Sequence, residues 1–213
     1  MTFSRMVHFR LLFLFIGSCM FVSQCNGQDK GATTCGKLEC PEYKVIHNEK
    51  NGFEIRSYKD AVWITTPNIT SYTFEYAAQK GFATAYTYFL GNNSQGAKLN
   101  MTAPVLVDIQ NDHYYTVHLY LPRQYQSNPP STISNEFHPS KLPPRKFAVV
   151  RRFGGVMNNP AIATQLEALK KSLAGTPYEP VAAASADRFT VAVYYSPLDE
   201  PEKPLNEIML WFD

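Results

Sequence analysis

Charge of one sign is what this sequence most plainly lacks. Its 20 Lys and Arg stand against 18 Asp and Glu, a formal +2 over 213 residues. Arg5 and Arg10 are the only charged side chains in residues 1–27, so the remainder balances at 18 against 18 (20 less those two). A neutral chain has no broad positive field for a phosphate backbone, which excludes nucleic-acid binding. Cysteine is also scarce. Of four, Cys19 and Cys25 fall in that first stretch, leaving only Cys35 and Cys40. No apolar run beyond residue 22 is long enough to span a bilayer. Disorder is excluded by 45% hydrophobic content, and a coiled coil by 15 Pro with 13 Tyr and 14 Phe.

What is present begins with an address. Arg5 and Arg10 precede Leu11-Leu12-Phe13-Leu14-Phe15-Ile16, and Cys25 and Gly27 supply small residues for cleavage. The pattern predicts a secretory signal over residues 1–27 and a secreted protein. The rival, a membrane anchor, is disfavoured because Gly17-Ser18 interrupts a run already short of about 20 residues. Residues 28–42 read as a polar tail. There Cys35 and Cys40 suit a local disulfide in an oxidising lumen, with a metal pair as the alternative. Three glycosylation sequons start at Asn68, Asn92 and Asn100, and the polar loop around Asn92 makes it the favoured site.

Residues 43–213 form one expected domain. Phe53 to Tyr58 alternates as a half-buried strand does, and Ala61 to Thr66 is β-rich before Pro67. Over residues 71–90 the period changes, placing Phe74, Ala78, Phe82, Ala85 and Phe89 within one third of a helical wheel. Two strands follow, Met101 to Ile109 and Tyr114 to Leu121, and then a Pro-rich connector over 122–144. The pattern recurs: a strand at Lys146 to Phe153, an Asn158-Asn159-Pro160 helix start, a stripe of Ile162, Leu166, Leu169 and Leu173, and two final strands. This predicts an α+β fold of two βαββ pseudo-repeats, forming an antiparallel barrel-like sheet with two packed helices. A monomer is expected.

Reactive motifs are absent: no nucleophile elbow, no zinc-protease pair, no phosphate-cradling loop, and no Cys-x-x-Cys-His for covalent heme attachment. His113 and His118, five apart, point to opposite faces of a continuous strand, so they do not make a metal pair. Asp199, Glu200 and Glu202 sit in a Pro-rich, solvated loop. No enzyme is expected. One surplus stands out: the first helix carries a second stripe opposite its Phe stripe, with Tyr72, Tyr76, Ala83, Tyr86 and Leu90 beside Gln79 and Lys80. Either the connector covers this face, or it is a groove for a planar apolar ligand whose carboxylates would meet Lys80 and Lys98.

The order of motifs resembles the SOUL heme-binding protein family, particularly its plant secreted branch. The matching pieces are Phe53-Glu54-Ile55-Arg56-Ser57-Tyr58, Phe89-Leu90-Gly91-Asn92-Asn93, Met101-Thr102-Ala103-Pro104-Val105, Leu119-Tyr120-Leu121-Pro122, Phe153-Gly154-Gly155, Tyr194-Tyr195-Ser196-Pro197 and Asn206-Glu207-Ile208. The resemblance implies reversible, non-covalent binding of heme or a related tetrapyrrole beside the first helix, with the loop after Tyr195 as the second wall. Tyr76, Gln79, Phe82, Ala83 and Tyr86 are the implied contacts. Phe82 and Tyr86 would face the porphyrin, although the wheel places Phe82 nearer the core stripe. Where some members were proposed to use a His, two residues after the Ile of the first motif, this chain has Ser57. No axial ligand is therefore implied. The alternative is a module of the same fold for another amphipathic small molecule or a peptide.

Overall fold

A computed structural model describes residues 35, 38–50, 52–142, 145–185, 187–195 and 205–213. The expected signal over 1–27, most of the tail, and the loop over 196–204 lie outside the described residues. Strands β1 (Tyr43–Glu49), β2 (Phe53–Tyr58), β3 (Ala61–Thr65) and β4 (Ile69–Thr70) lead into helix α1 (Phe74–Phe89). Then come β5 (Val105–Gln110), β6 (Tyr114–Tyr120), β7 (His138–Leu142) and β8 (Phe147–Gly154). Helices α2 (Asn159–Leu173) and α3 (Glu179–Ala184) precede β9 (Arg188–Val193) and β10 (Leu205–Phe212).

The sheet runs in the order β1-β2-β8-β10-β9-β5-β6-β3-β7, entirely antiparallel, with β4 joined to β6. The two pseudo-repeats are plain in this order. β3-α1-β5-β6 gives the neighbours β5-β6-β3, and β8-α2-β9-β10 gives β9-β10-β8. They join edge to edge where β5 pairs β9, Val105 opposite Val193 through Gln110 opposite Arg188. Three strands were not foreseen: β1 and β7, which extend the sheet at its two margins, and the two-residue β4. β7 comes from the Pro-rich connector and carries Pro139; β1 carries a bulge between Val45 and His47.

Alternation assigns each strand residue to one of two clusters. Ile64, Val105, Val107, Val117, Leu119, Val191, Ile208 and Leu210 meet the helices in the larger core. Their neighbours Trp63, Leu106, Tyr120, Ala192 and Met209 form a second cluster on the opposite sheet face. Helix α1 lies close on β6 because Gly81 permits it: a Cβ at Gly81 would stand 2.2 Å from Val117 Cγ2. The helix starts are tied together. Asn158 Oδ1 accepts from Ala161 N at 2.9 Å and caps α2. Asn159 Oδ1 accepts from Phe74 N at 2.8 Å, and its amide donates to Tyr72 O at 2.9 Å, so α2 caps α1, whose own Thr73 makes no side-chain cap.

Candidate functional site

The connector does not seal the second stripe of α1. It crosses the flank and C-terminal end of the helix instead: Tyr88 Oη donates to Pro130 O at 2.7 Å, the Phe137 ring lies 5.8 Å from that of Tyr88, and Ser94 N donates to Ser131 O at 2.8 Å. Among the described residues the outer face stays open. Tyr76 is 56% exposed and Leu90 58%, and Gln79, Lys80 and Ala83 are exposed. Spacing of seven residues puts Tyr76, Ala83 and Leu90 in one line along the helix, so small Ala83 forms a saddle between two larger apolar side chains. Lys80 Nζ lies 5.9 Å from the Tyr76 ring centre, leaving a cation at one rim.

Tyr86 is half-buried and lies flat over Phe82, ring centres 5.3 Å apart at 13°. Phe82 itself is 3% exposed and belongs to the core. A ligand on this face therefore meets Tyr86 first, with Phe82 as the support beneath it. Lys98 is exposed in the loop after the helix, where Leu99 N donates back to Phe89 O at 2.8 Å. At the other end Tyr72 packs edge-on against the exposed His113 ring at 5.5 Å. Ser57 is half-buried on β2.

The remaining sequence-derived residues are placed as follows. Cys35 and Cys40 lie within disulfide reach, Cα atoms 6.3 Å apart. Among the described residues no group of His, Cys, Asp and Glu could hold a metal ion. Asn68 and Asn100 are exposed, Asn68 Oδ1 accepting from Thr116 Oγ1 at 2.7 Å. Asn92 is half-buried and its amide reaches Thr87 Oγ1 at 3.5 Å. No helix among the described residues is long and apolar enough to cross a membrane. Asp199, Glu200 and Glu202 fall outside the described residues.

Two polar clusters on the second sheet face were not anticipated. In the first, Glu207 is fully buried and accepts four hydrogen bonds: from both terminal nitrogens of Arg56 (2.9 and 2.7 Å), from Arg152 Nε (2.9 Å) and from Tyr194 Oη (2.7 Å). Arg56, also fully buried, further donates to Glu54 at 2.9 Å and lies 4.3 Å from the Tyr43 ring centre. Burial pushes the Glu207 carboxyl up, but Arg56 outweighs it with Tyr194 and Arg152, and the group is held below the usual carboxylate range. In the second cluster His118 Nδ1 lies 2.9 Å from Thr65 Oγ1, which also contacts Ser140 Oγ. His118 Nε2 stands 3.3 Å from Asp108 Oδ2, without hydrogen-bond alignment. Asp108 also accepts from Thr190 at 2.5 Å. The sequence signal for the first cluster was there: Arg56, Tyr194 and Glu207 lie inside three of the quoted motifs, and a charged residue flanked by apolar strand residues needs a partner.

Curated relatives share the resemblance over part of their length. Human heme-binding protein 2 is 29% identical over 108 residues, covering 46% of this chain and 52% of its own. The mouse protein of the same name is 31% identical over 102 residues, covering 44% and 49%. Heme-binding protein 1 of Xenopus laevis is 32% identical over 109 residues, covering 47% and 57%. The chain thus spans about half the length of the curated relatives it matches. Among solved structures, a hydrolase from Listeria innocua superposes with a TM-score of 0.49 at 11% identity, over 77% of this chain and 93% of that one. That likeness is too distant to carry any argument about activity. The description of the SOUL heme-binding protein family fits residues 38–211, nearly all of the described fold, and this chain belongs to that family.

Proposed function

We propose that this protein is a secreted, non-enzymatic carrier that binds heme or a related tetrapyrrole reversibly, without a covalent bond, on the outer face of α1. The observation that carries the reading is the uncovered aromatic face. Tyr76, Ala83, Tyr86 and Leu90 present apolar surface that neither the sheet nor the connector occupies. The relatives' names, heme-binding proteins 1 and 2, support the same ligand.

The residues present fit a flat, amphipathic macrocycle. Ala83 lets a ring approach the helix backbone, Tyr86 offers a supported ring face, and Lys80 and Gln79 lie where acidic side groups would emerge. Burying about 300 Å² of apolar surface at ~25 cal/mol per Å² gains about 7 kcal/mol before association costs, so micromolar affinity, about 8 kcal/mol net, needs polar contacts beside burial, and attachment stays reversible. Among the described residues this face of α1 carries no His or Cys, so binding by burial rather than by an iron ligand is the expected mode. The Cys35–Cys40 pair supports an oxidising compartment, and Asn68, Asn92 and Asn100 are the proposed glycan acceptors.

Hemin titration of the chain lacking residues 1–27 tests this, read by the Soret band and by tyrosine quenching. Saturable binding at micromolar hemin is expected. Ala83→Glu, which fills the saddle with charge while touching no core residue, should weaken it at least about tenfold, the effect of roughly 1.4 kcal/mol. Tyr86→Asp should do the same. No spectral change at tens of micromolar hemin refutes the reading. A thermal-shift panel of sterols, lipids and phenolics addresses the second reading, another amphipathic ligand on the same face.

A further inference from the structure

The sequon at Asn68 is placed differently from the other two. Pairing of β4 with β6 sets Ile69 opposite Tyr115 and Thr70 opposite Tyr114. Ile69 and Tyr115 belong to the core under the helices, so alternation turns Asn68, Thr70, Tyr114 and Thr116 to the other face of the sheet. There Asn68 Oδ1 accepts from Thr116 Oγ1 at 2.7 Å, which fixes the carbonyl side of the amide. Asn68 and Thr70 are both exposed, and among the described residues Asn68 Nδ2 and the Thr70 hydroxyl have no partner. The rival sequons are less free. Asn92 is half-buried with its amide reaching Thr87, and the Thr102 of the third sequon is buried, its hydroxyl donating to Tyr120 O at 2.6 Å. Tyr114 is the second observation. It is 44% exposed, and among the described residues its ring meets no other ring and its hydroxyl has no partner. Two residues from Thr116 along β6, it stands diagonally across from Asn68, a separation of about 7–8 Å.

We propose that Asn68 carries an N-linked glycan whose first N-acetylglucosamine packs on the Tyr114 ring. The inference rests on export of the chain, and it ranks Asn68 above Asn92, the site that the loop's polarity favours. In the covalent step Asn68 Nδ2 bonds to the anomeric carbon of an oligosaccharide carried on a lipid diphosphate. The bond from that carbon to the diphosphate breaks, and the amide gives up one proton. The C–H face of the sugar then covers Tyr114, as apolar faces cover aromatic rings elsewhere. Gln110, opposite Tyr114 on β5, and Arg188, which donates to Gln110 Oε1 at 2.6 Å, edge this platform with polar groups for the sugar hydroxyls. Helix α1 packs on the other face of the sheet, so the glycan and the proposed tetrapyrrole face do not compete.

The test expresses residues 28–213 behind a foreign secretion signal in cultured human cells, so it does not depend on whether residues 1–27 direct export. Export by the chain's own N-terminus is assayed separately, which keeps failure of that reading distinct from failure of this one. Peptide N-glycosidase in ¹⁸O-water marks each occupied Asn as a labelled Asp for mass spectrometry. Asn68 is expected to be occupied, and Asn92 to a smaller extent. An unmodified Asn68, or an occupancy at Asn92 that exceeds it, overturns the proposal. Thermal melts of the secreted proteins test the platform. Asn68→Gln removes the glycan and should lower Tm by about 2 °C more in the unmodified background than in Tyr114→Ala. Loss of the bond to Thr116 is common to both backgrounds and cancels. Tyr114→Phe, which keeps the ring, should behave as the unmodified chain does. An equal loss in the Tyr114 and Tyr114→Ala backgrounds overturns the packing of the sugar on Tyr114.

Discussion

At the residue scale the strongest commitments are Glu207 and Arg56. Two fully buried opposite charges are tolerable only because every lone pair of the carboxylate is used. Removing one partner strands the other, so Glu207→Gln should lower stability by about 3–5 kcal/mol, measured by urea unfolding. The pH dependence has a definite sign. The folded-state carboxyl of Glu207 is held low, so its contribution is complete above the unfolded value of about 4.3 and drains away as pH falls below it. Asp108 adds to this in the same direction. Burial pushes its carboxyl up, but the close approach of His118, the hydrogen bond from Thr190 and the charge of Arg188 hold it low. Urea midpoints at pH 7, 4.5 and 3 should therefore fall steeply in the unmodified chain and more shallowly in Glu207→Gln. An equal slope in the two proteins would remove Glu207 from the acid response.

At the element scale α1 shows what the sequence made legible and what it hid. The Phe stripe and the stop at Gly91 follow from a 3.6-residue period and from backbone with φ of +112°. Gly81 has no such signature, since its reason lies in Val117, 36 positions away in the chain. Helix propensity alone favours Gly81→Ala by up to about 1 kcal/mol. The overlap with Val117 argues the reverse, and a net loss of about 1–3 kcal/mol is expected. Thermal melts should show it, with Val117→Ala making the glycine substitution cheaper than in the unmodified background. The helix start was equally hidden. Asn158 was readable as a cap because it sits three residues before the amide it holds, whereas Asn159 caps a helix 85 residues upstream. The proposed contacts Tyr76, Gln79, Ala83 and Tyr86 on α1 are legible because they are what a core stripe leaves over, whereas Phe82 belongs to that stripe.

At the scale of the whole molecule the repeat was readable and its margins were not. Two strand–helix–strand–strand patterns implied two sheets that need each other, and β5 against β9 is where they meet. β7 stayed concealed in a stretch rich in Pro and Ser, where pairing with β3 overrides local preference. Each half alone would expose the apolar face that the seam and the shared helix cap now cover. A fragment over residues 43–142 is therefore expected to lack a cooperative unfolding transition by circular dichroism, and mixing it with residues 145–213 should restore one if the seam suffices for assembly.

Among the described residues the sheet has two margins, β1 and β7, at which another chain could add a strand, the usual start of fibrous self-association. Each margin carries an obstacle. At β7 Pro139 removes a donor from the outer row, and at β1 the bulge after Val45 breaks the spacing on which an incoming strand would register. These irregularities give up pairing energy and in exchange keep neighbouring molecules apart, so Pro139→Val is the exchange most expected to turn a well-behaved solution turbid.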